Sequence, residues 1–247
     1  FLINFNNIYI TYKDKTKDRL HLQKKHRPLA AGTISTKTAF ILMCLFFLIG
    51  TLLIITISMS ALYIMLAYIG INIAYCLYLK HIALIDVTLI AIGFVLRLFT
   101  GASVTQVSLS MWIIIMTFLL ALFLALAKRR DDVLIFQGTG KKMRQVIDGY
   151  NLPLIDGLMI IMASVVIVVY ILYTTSDHTE LWLHNKYLFF TVLFVILGIM
   201  RYLQIVLVQN ESASPTKIIL KDRFLQITIL TWLFFLYGSF MYDRYQV

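Results

Sequence analysis

The sequence predicts an all-α integral membrane protein, a polytopic bundle of helices without soluble domains. Composition is the first reason: 60% of the 247 residues are hydrophobic and 14% are charged, whereas soluble domains are about 45–50% apolar. So few charges cannot cover the surface of a soluble protein of this length. The second reason is that apolar runs of about 20 residues, the length that crosses a bilayer, recur along the chain. The scattered glycines and three prolines exclude collagen-like and disordered classes.

Seven apolar windows are long enough, or nearly so, to cross a membrane as helices, which satisfy their own backbone hydrogen bonds in lipid. They are residues 38–58, 60–79, 84–100, 109–127, 154–174, 187–206 and 224–241. The apolar segment 1–12 is too short and too rich in asparagine for a signal peptide and indicates the tail of a further helix. We therefore expect seven full spans and a partial N-terminal helix, in one transmembrane domain over residues 1–247.

Lysine and arginine are distributed very unequally between the two sides of this bundle. When connections are assigned to alternate sides, one side receives 13–37, 80–83, 128–153 and 207–223, which hold most of the basic residues. The connections on the opposite side keep only Lys186 and Arg244. Because basic connections stay in the cytoplasm, we expect a multi-pass protein of the plasma (inner) membrane with its active, basic face in the cytoplasm.

Two aspartates, Asp14 and Asp18, lie four residues apart at the start of the basic stretch KDRLHLQKKHRPLAAGTIS at 17–35. If the first helix continues through them, the two carboxylates share one helix face. One interpretation is a solvated helix end with surface salt bridges. The other is a divalent-metal site for a phosphorylated substrate, in which carboxylates hold Mg²⁺, the metal holds a diphosphate and nearby cations neutralise the remaining charge.

A second group of the same composition follows the window 109–127. It consists of Lys128, Arg129, Arg130, Asp131 and Asp132, followed by Lys141, Lys142 and Arg144. Either group alone is explained by topology and by anionic lipid headgroups. Two such groups at one membrane face could bind one diphosphate between them, which makes the pair more specific than either member.

Charged residues also occur within or beside the predicted spans. Arg97 and Arg201 are costly in lipid, so both are expected to face the bundle interior or a water-filled cavity, with a structural role favoured for Arg97. Lys80 ends one span and Asp86 opens the next, where each charge complements the dipole of its helix.

Other function classes find no support in the sequence. GTGKK at 138–142 lacks the spacing and the preceding strand of a phosphate-binding loop. The five histidines show neither metal-ligand spacing nor a Ser-His-Asp pattern, and Cys44 and Cys76 lie in apolar runs as small hydrophobic residues. Reading of nucleic-acid bases is implausible for such a bundle, so no nucleic-acid partner is expected.

These motifs resemble a known family, the UbiA-type intramembrane prenyltransferases, and within it the decaprenyl-phosphate phosphoribosyltransferase branch. In that branch a motif of the form N-D-x-x-D-x-x-x-D-x-x-H-P-x-K-x-x-R-P-I-A-x-G ends the second membrane helix. Residues 10–32 match it in register at Asp14, Asp18, His21, Lys24, Arg27, Pro28, Ala30 and Gly32. The similarity continues in order through YCLYLKHIALIDVTLIAIGFVLR (75–97), FLALAKRRDD (123–132), RQVIDGY (144–150), GIMRYL (198–203) and SPTKIILKDR (214–223).

The sequence departs from the pattern of this branch at its start. The leading Asn-Asp pair falls on Ile10 and Thr11, and the proline after His21 is Leu22. The family usually has nine spans, so the resemblance implies a UbiA-like bundle that lacks the first membrane helix and part of the second.

The resemblance implies a Mg²⁺-dependent transferase that moves 5-phosphoribose from 5-phosphoribosyl 1-pyrophosphate to a polyprenyl (decaprenyl) phosphate and releases pyrophosphate. One substrate is a soluble polyanion and the other is a charged head on an apolar tail, so a basic cytoplasmic face with access to lipid suits both. The acceptor phosphate is already ionised and needs no general base, which agrees with the lack of a catalytic histidine pattern. Catalysis would depend on Mg²⁺ and cations that stabilise the leaving pyrophosphate.

The same resemblance implies roles for individual residues. Asp14 and Asp18 are the expected catalytic carboxylates and Mg²⁺ ligands. The expected substrate-binding residues are Lys24, Arg27, Tyr75, Lys80, Lys128, Arg129, Arg130 and Asp132. Of these, the cations would contact phosphate oxygens, and Asp132 would orient them or bind ribose.

Three alternatives stay open. The first is UbiA-type transfer of a prenyl group from a prenyl diphosphate to an aromatic acceptor, which shares the fold and the Mg²⁺–diphosphate chemistry. The second is a truncated, inactive family member, which the loss of Asn-Asp at 10–11 favours. A transporter-like bundle is less favoured, because no internal repeat or pair of broken helices is visible. A homo-oligomer is possible in each case.

Overall fold

A computed structural model describes residues 31–140, 142, 144–176, 186–211 and 215–244. The partial helix expected at 1–12 lies outside them. Every regular element of the described part is helical. The α-helices are α1 (Thr36–Ile57), α2 (Met59–Leu77), α3 (Ile85–Thr105), α4 (Met111–Thr139), α5 (Leu152–Thr174), α6 (Val192–Leu207), α7 (Pro215–Lys221) and α8 (Arg223–Arg244). Three 3-10 helices join them, at Leu79–His81, Gln145–Gly149 and Lys186–Thr191.

The helices match the predicted spans in order. Six are long and apolar enough to cross a membrane: α1 to α5, and the segment Leu188–Leu207 that includes α6. The seventh predicted window, 224–241, falls in α8, whose apolar part Arg223–Gly238 is shorter. The prediction of an all-α membrane fold is confirmed.

The chain separates into two compact units, which meet in sequence at Leu109 and Ser110. In the N-terminal unit, α2 packs along α3, and α1 packs more lightly on α2. Ser58 ends α1 and caps α2, since its Oγ accepts a hydrogen bond from the Ala61 amide at 3.2 Å, and the same Oγ lies 3.1 Å from Ser103 Oγ of α3. Such a cap satisfies an amide that the first turn of a helix leaves unpaired.

The core of the N-terminal unit lies between α1 and α2 and includes Ile54, Ala61, Met65, Tyr68 and Ile69, with Leu96 of α3 packed against it. A Cβ placed on Gly93 would lie 3.6 Å from the ring of Tyr68. This is an ordinary contact distance, so α3 passes close to the aromatic core of α2 at Gly93 and a methyl group would still fit there.

In the C-terminal unit, α4 packs along α5, and α6 packs against both α5 and α8. Ser110 caps α4 and Asn151 caps α5, each through a side-chain oxygen that accepts an amide of the first turn. Gly140 ends α4 with φ +67°, a left-handed conformation that glycine adopts without a steric penalty.

The end of α4 differs from the predicted span. The window 109–127 ended where the lysine and arginine residues begin, but the helix continues to Thr139. Hydropathy marks where a chain leaves lipid, not where it stops being helical. Lysine, arginine and leucine all favour helix, and the buried arginines of this segment find partners within the unit. Residues 128–132 are therefore part of α4.

Candidate functional site

The ten predicted site residues fall in three places. Asp14, Asp18, Lys24 and Arg27 lie outside the described residues, so their metal-binding and phosphate-binding roles stay predictions. Tyr75 and Lys80 lie in the N-terminal unit, and Lys128, Arg129, Arg130 and Asp132 lie on α4 of the C-terminal unit.

Tyr75 and Lys80 lie at the same end of the α2–α3 hairpin. Tyr75 is in the last turn of α2 and Lys80 is in the 3-10 helix that follows, and both side chains are half-buried. In that 3-10 turn the His81 amide donates to the Tyr78 carbonyl at 3.1 Å, and the Ile82 amide donates to the Leu79 carbonyl at 3.2 Å. Asp86 follows in the first turn of α3 and is fully buried.

Arg97 of α3 is held by aromatic rings. Its Nη2 donates to Tyr68 Oη at 2.5 Å, and its guanidinium lies 5.1 Å from the ring centres of both Tyr68 and Phe94. Such cation–π contacts partly replace the hydration that an arginine loses in lipid. These contacts fix the side chain within the N-terminal unit, although it stays exposed.

On α4, Arg129 and Asp132 form one ion-pair cluster. Arg129 is 1% exposed, and its Nη1 donates to Asp132 Oδ2 at 2.7 Å one helical turn away. Arg144, from the connection to α5, places Nε 3.2 Å from the same oxygen. Asp132 therefore joins the end of α4 to the connection that follows it, and this carboxylate holds two guanidinium groups.

Arg130 points to different partners and joins three elements. It is 4% exposed, and its Nε donates to Asp156 Oδ1 of α5 at 2.7 Å. Its Nη1 donates to the Val206 carbonyl in the last turn of α6 at 2.7 Å and to Asn210 Oδ1 at 3.0 Å. The planar arginine fork suits several fixed acceptors at once, so this one side chain holds together the same ends of α4, α5 and α6.

Arg201 of α6 is paired with Asp222, which lies between α7 and α8. Arg201 Nη2 donates to Asp222 Oδ2 at 2.7 Å, and Arg201 Nη1 donates to Gln204 Oε1 at 2.8 Å. The hydrogen bond from Arg201 holds the pKa of the Asp222 carboxyl below its usual range. Asp222 also accepts the Leu225 amide at 2.8 Å, so it caps α8 while it holds α6.

The C-terminal unit also carries exposed cations, which differ from the buried arginines in their access to solvent. Lys128, Lys217 and Arg223 have exposed side chains. Lys142 is exposed as well, and it pairs with Asp148 at 2.6 Å. Since Arg129 and Arg130 are buried on carboxylates of their own chain, the exposed lysines and Arg223 offer an incoming anion more accessible charge. The arrangement is chemically an anion-attracting surface supported by internal ion pairs.

Among the residues that the structure describes, no group of three or more histidine, cysteine, aspartate or glutamate side chains could hold a metal ion. The predicted Mg²⁺ ligands, Asp14 and Asp18, are not in that part of the chain.

No sequence motif assigns Asp156, Asn210 or Asp222 to these clusters. Each is a partner of an arginine that the sequence does single out. A general signal was available, because an arginine buried in a bundle requires an acceptor. The sequence alone did not identify which of the surrounding polar residues supplies it.

A family model and individual relatives both match this chain over most of its length. Residues 4–226 match the model of the UbiA prenyltransferase family. A decaprenyl-phosphate phosphoribosyltransferase of Mycolicibacterium smegmatis is 27% identical over 94% of this chain and 76% of its own length. One of the same name from Corynebacterium glutamicum is 28% identical over 90% of this chain and 67% of its own.

The fold also resembles a solved structure. A UbiA homolog from Archaeoglobus fulgidus, bound to GPP and Mg²⁺, superimposes with a TM-score of 0.67 at 17% identity, over 96% of this chain and 83% of that one. At that identity the likeness concerns the fold.

Proposed function

Because the chain belongs to the UbiA prenyltransferase family, we propose that it is a membrane transferase that moves 5-phosphoribose from 5-phosphoribosyl 1-pyrophosphate to a polyprenyl phosphate. The observation that carries this proposal is the similarity to decaprenyl-phosphate phosphoribosyltransferases over 90% or more of the chain. The concentration of basic side chains on the face expected in the cytoplasm supports it, since the donor is a soluble polyanion.

The proposed reaction is a substitution at the anomeric carbon of the ribose. An oxygen of the acceptor phosphate forms a bond to C1, the bond from C1 to the pyrophosphate oxygen breaks, and pyrophosphate leaves with the electron pair. The acceptor oxygen is ionised at neutral pH, so no proton has to be removed. Cations near the leaving group stabilise the charge that develops on it.

Within this proposal Asp14 and Asp18 bind Mg²⁺. Carboxylate oxygens are the ligands that Mg²⁺ prefers, and the ion usually bridges one or two carboxylates to substrate phosphates. When bound, Mg²⁺ would neutralise charge on the pyrophosphate. Lys24 and Arg27 would contact phosphate oxygens from the segment that follows.

The contacts on α4 refine the proposed roles there. Within the C-terminal unit we assign phosphate contact to the exposed Lys128. Tyr75 and Lys80 of the N-terminal unit stay proposed substrate-binding residues. Arg129 and Arg130 are buried on Asp132 and Asp156, which suits residues that hold the helix ends more than residues that meet a substrate. Asp132 would then orient Arg129 and Arg144 instead of binding ribose.

The test is binding of 5-phosphoribosyl 1-pyrophosphate to the purified protein, with and without Mg²⁺, by isothermal titration calorimetry. We expect Mg²⁺-dependent binding that pyrophosphate displaces, and a loss of at least tenfold in affinity in Asp14→Ala and Asp18→Ala. Asp148→Ala is the matched control, because this exposed carboxylate pairs with the exposed Lys142. Binding that is independent of Mg²⁺ and unchanged in both aspartate variants would refute the metal assignment.

A second candidate is prenyl transfer from a prenyl diphosphate, which is favoured by the likeness in fold to a homolog bound to GPP and Mg²⁺. Competition separates the two: GPP that displaces 5-phosphoribosyl 1-pyrophosphate with higher affinity would favour prenyl transfer. If a folded, monodisperse protein binds neither compound, the chain is the inactive family member that Ile10 and Thr11 suggest.

A further inference from the structure

Arg144, in the connection between α4 and α5, has a guanidinium group that no acceptor in the described part of the chain completes. Its Nε is buried and lies 3.2 Å from Asp132 Oδ2, but the two groups are not aligned as a hydrogen bond. Its Nη nitrogens have no hydrogen-bond partner among the residues that the structure describes. The side chain is 27% exposed, and since Nε is buried, the accessible part of the guanidinium is its Nη end.

The other buried and half-buried arginines of the C-terminal unit use their donors within the protein. Arg130 and Arg201 donate to acceptors on neighbouring elements, and Arg129 donates to Asp132. Arg144 shares that carboxylate but keeps its donors. An arginine carries five N–H donors in a planar fork, and buried donors are normally hydrogen-bonded. Oxygen atoms of a ligand would therefore complete Arg144.

The backbone around Arg144 is held in place by packing and hydrogen bonds. Val146 and Ile147, which follow it, are 3% and 2% exposed. The Ile147 amide donates to the Arg144 carbonyl at 3.5 Å, and Asn151 then caps α5. Because its backbone and its Asp132 neighbour fix this side chain, it loses little conformational freedom when a ligand binds.

Phosphate is the ligand chemistry that suits this place. A guanidinium fork matches two oxygens of one phosphate group at once. Lys128 is exposed and lies one helical turn before Asp132 on the same face of α4. Lys128, Arg129 and Arg144, with Asp131 and Asp132, leave one net positive charge here. The place therefore attracts an anion and not a metal ion.

The depth of Arg144 favours a ligand that arrives from water. Its neighbour Asp132 lies beyond the apolar window 109–127, about 8 Å further along the helix at 1.5 Å per residue. The headgroup layer on one side of a bilayer is roughly 5–8 Å thick, so this side chain lies at its outer edge. A phosphate on a soluble molecule reaches such a position without leaving the aqueous phase.

We propose that Arg144 binds the 5-phosphate of the sugar donor through its Nη nitrogens, with Lys128 as a second cation; the identity of the ligand rests on the proposed function. The donor carries two phosphate groups, and the pyrophosphate is the one assigned to Mg²⁺ on Asp14 and Asp18. The 5-phosphate needs a partner of its own. Because a prenyl diphosphate has no such group, Arg144 determines specificity for phosphoribosyl transfer in a family of prenyltransferases.

The test uses ribose 5-phosphate, which carries the 5-phosphate without the pyrophosphate. It is titrated against the purified protein in a phosphorus-free detergent and followed by phosphorus NMR. We expect saturable binding that weakens about tenfold in Arg144→Gln and about threefold in Arg144→Lys, which keeps the charge without the fork. Lys221→Gln is the matched control and should change the affinity by less than about twofold, because it removes the same charge from an exposed side chain paired with Glu211 at 2.9 Å.

A second pair of ligands separates phosphate binding from a structural role. Pyrophosphate with Mg²⁺, and GPP with Mg²⁺, both lack the 5-phosphate and should bind Arg144→Gln as they bind the wild type. Equal weakening of ribose 5-phosphate and pyrophosphate would mean that Arg144 only supports the fold, which contradicts the proposal. If Arg144→Gln does not fold, Arg144→Lys carries the test, and an unchanged affinity for ribose 5-phosphate in that variant overturns the assignment.

The acceptor lipid also ends in a phosphate monoester, so the two substrates share the chemistry that this fork recognises. Geranyl phosphate, a short acceptor analogue without a sugar, distinguishes them, and its affinity should be the same in Arg144→Gln and wild type. A loss of affinity for geranyl phosphate but not for ribose 5-phosphate would assign Arg144 to the acceptor and refute its assignment to the donor. Inorganic phosphate that binds as tightly as ribose 5-phosphate would identify a general anion site, with the same consequence.

These titrations require no transfer activity, so the site and the proposed function can fail separately. Binding of ribose 5-phosphate that depends on Arg144, in a protein without transfer activity, supports the site and removes the proposed function. In an active protein we expect Arg144→Gln to raise the donor KM about tenfold with little change in kcat, as when binding common to the ground state and the transition state is lost. Transfer with an unchanged donor KM in this variant supports the proposed function and overturns the site.

Discussion

Arg130 joins α4, α5 and α6 through one guanidinium, and its removal should destabilise the C-terminal unit. In Arg130→Met the Asp156 carboxylate loses its partner, and the Val206 carbonyl and Asn210 lose a donor. Breaking a buried ion pair costs about 3–5 kcal/mol. Asp156 is 32% exposed, so we expect the lower end, about 3 kcal/mol, in the free energy of unfolding measured by SDS titration in mixed micelles.

Lys142→Met is the control for this change, because it breaks the exposed pair with Asp148, and exposed pairs contribute about 0–1 kcal/mol. If Arg130→Met unfolds at the same SDS fraction as Lys142→Met, Arg130 does not hold the helix ends and its guanidinium is available for a substrate.

The types of these residues could be predicted from the sequence, but their pairing could not. The chain shows a basic segment with acidic residues at 128–132, and its resemblance to a family places that segment at a phosphate site. Whether an arginine faces a substrate or a carboxylate of its own chain depends on how each helix is rotated about its axis. Arg129 and Arg130 are adjacent, yet Arg129 binds Asp132 of its own helix and Arg130 binds Asp156 of the next. Small rotations decide such a difference, and a single sequence does not specify them.

At the level of helices, the apolar windows predicted the spans well, because lipid imposes both length and composition on them. The end of α4 could not be found in this way, because the helix continues 12 residues past the predicted window, from 127 to 139. Its true end is marked by Gly140, which has φ +67°. The sequence signal for the end of α4 is therefore Gly140, because glycine is common at the position that directly follows a helix.

Two glycines near the end of α4 provide a matched test of that assignment. Gly138 lies within the helix and Gly140 follows it at positive φ, and a Cβ on either meets nothing within 4 Å. The two sites therefore differ in backbone conformation and not in the space available to an alanine side chain. Gly138→Ala should stabilise the protein by about 0.5–1 kcal/mol, whereas Gly140→Ala should destabilise it by about 1–2 kcal/mol, in the same SDS titration. Effects of the same sign in both variants would mean that α4 does not end at Gly140.

At the scale of the whole molecule, the fold class follows from two features of the sequence. A chain with so few charges must be solvated by lipid, and its recurring apolar runs of about 20 residues have the length of membrane-spanning helices. The family could be predicted only from motifs matched in order over the chain, and the match to residues 4–226 agrees with them. An apolar cavity between α4, α5, α6 and α8 had no signal in the sequence. Its lining residues, such as Leu124, Gly198 and Trp232, are ordinary members of apolar helices, and only packing places them around a common space.

The orientation of the whole chain is a further prediction that bears on its function. Basic connections are retained in the cytoplasm, so the connection after α6, which holds Gln209, should face inward, and the connection between α3 and α4, which holds Val107, should face outward. Both residues are exposed. With Cys44 and Cys76 replaced by alanine, Val107→Cys should react with a membrane-impermeant maleimide on intact cells, and Gln209→Cys only after permeabilisation.

Thr175→Cys, at the end of α5 that is expected to face outward, serves as the control and should behave like Val107→Cys. Labelling of Gln209→Cys in intact cells, with Val107→Cys and Thr175→Cys protected, would invert the topology. The basic helix ends with Lys128, Lys217 and Arg223 would then face away from the cytoplasm, where a phosphorylated sugar donor is made. The proposed phosphoribosyl transfer needs these cations on the side of its soluble substrate, so it depends directly on the outcome of this labelling.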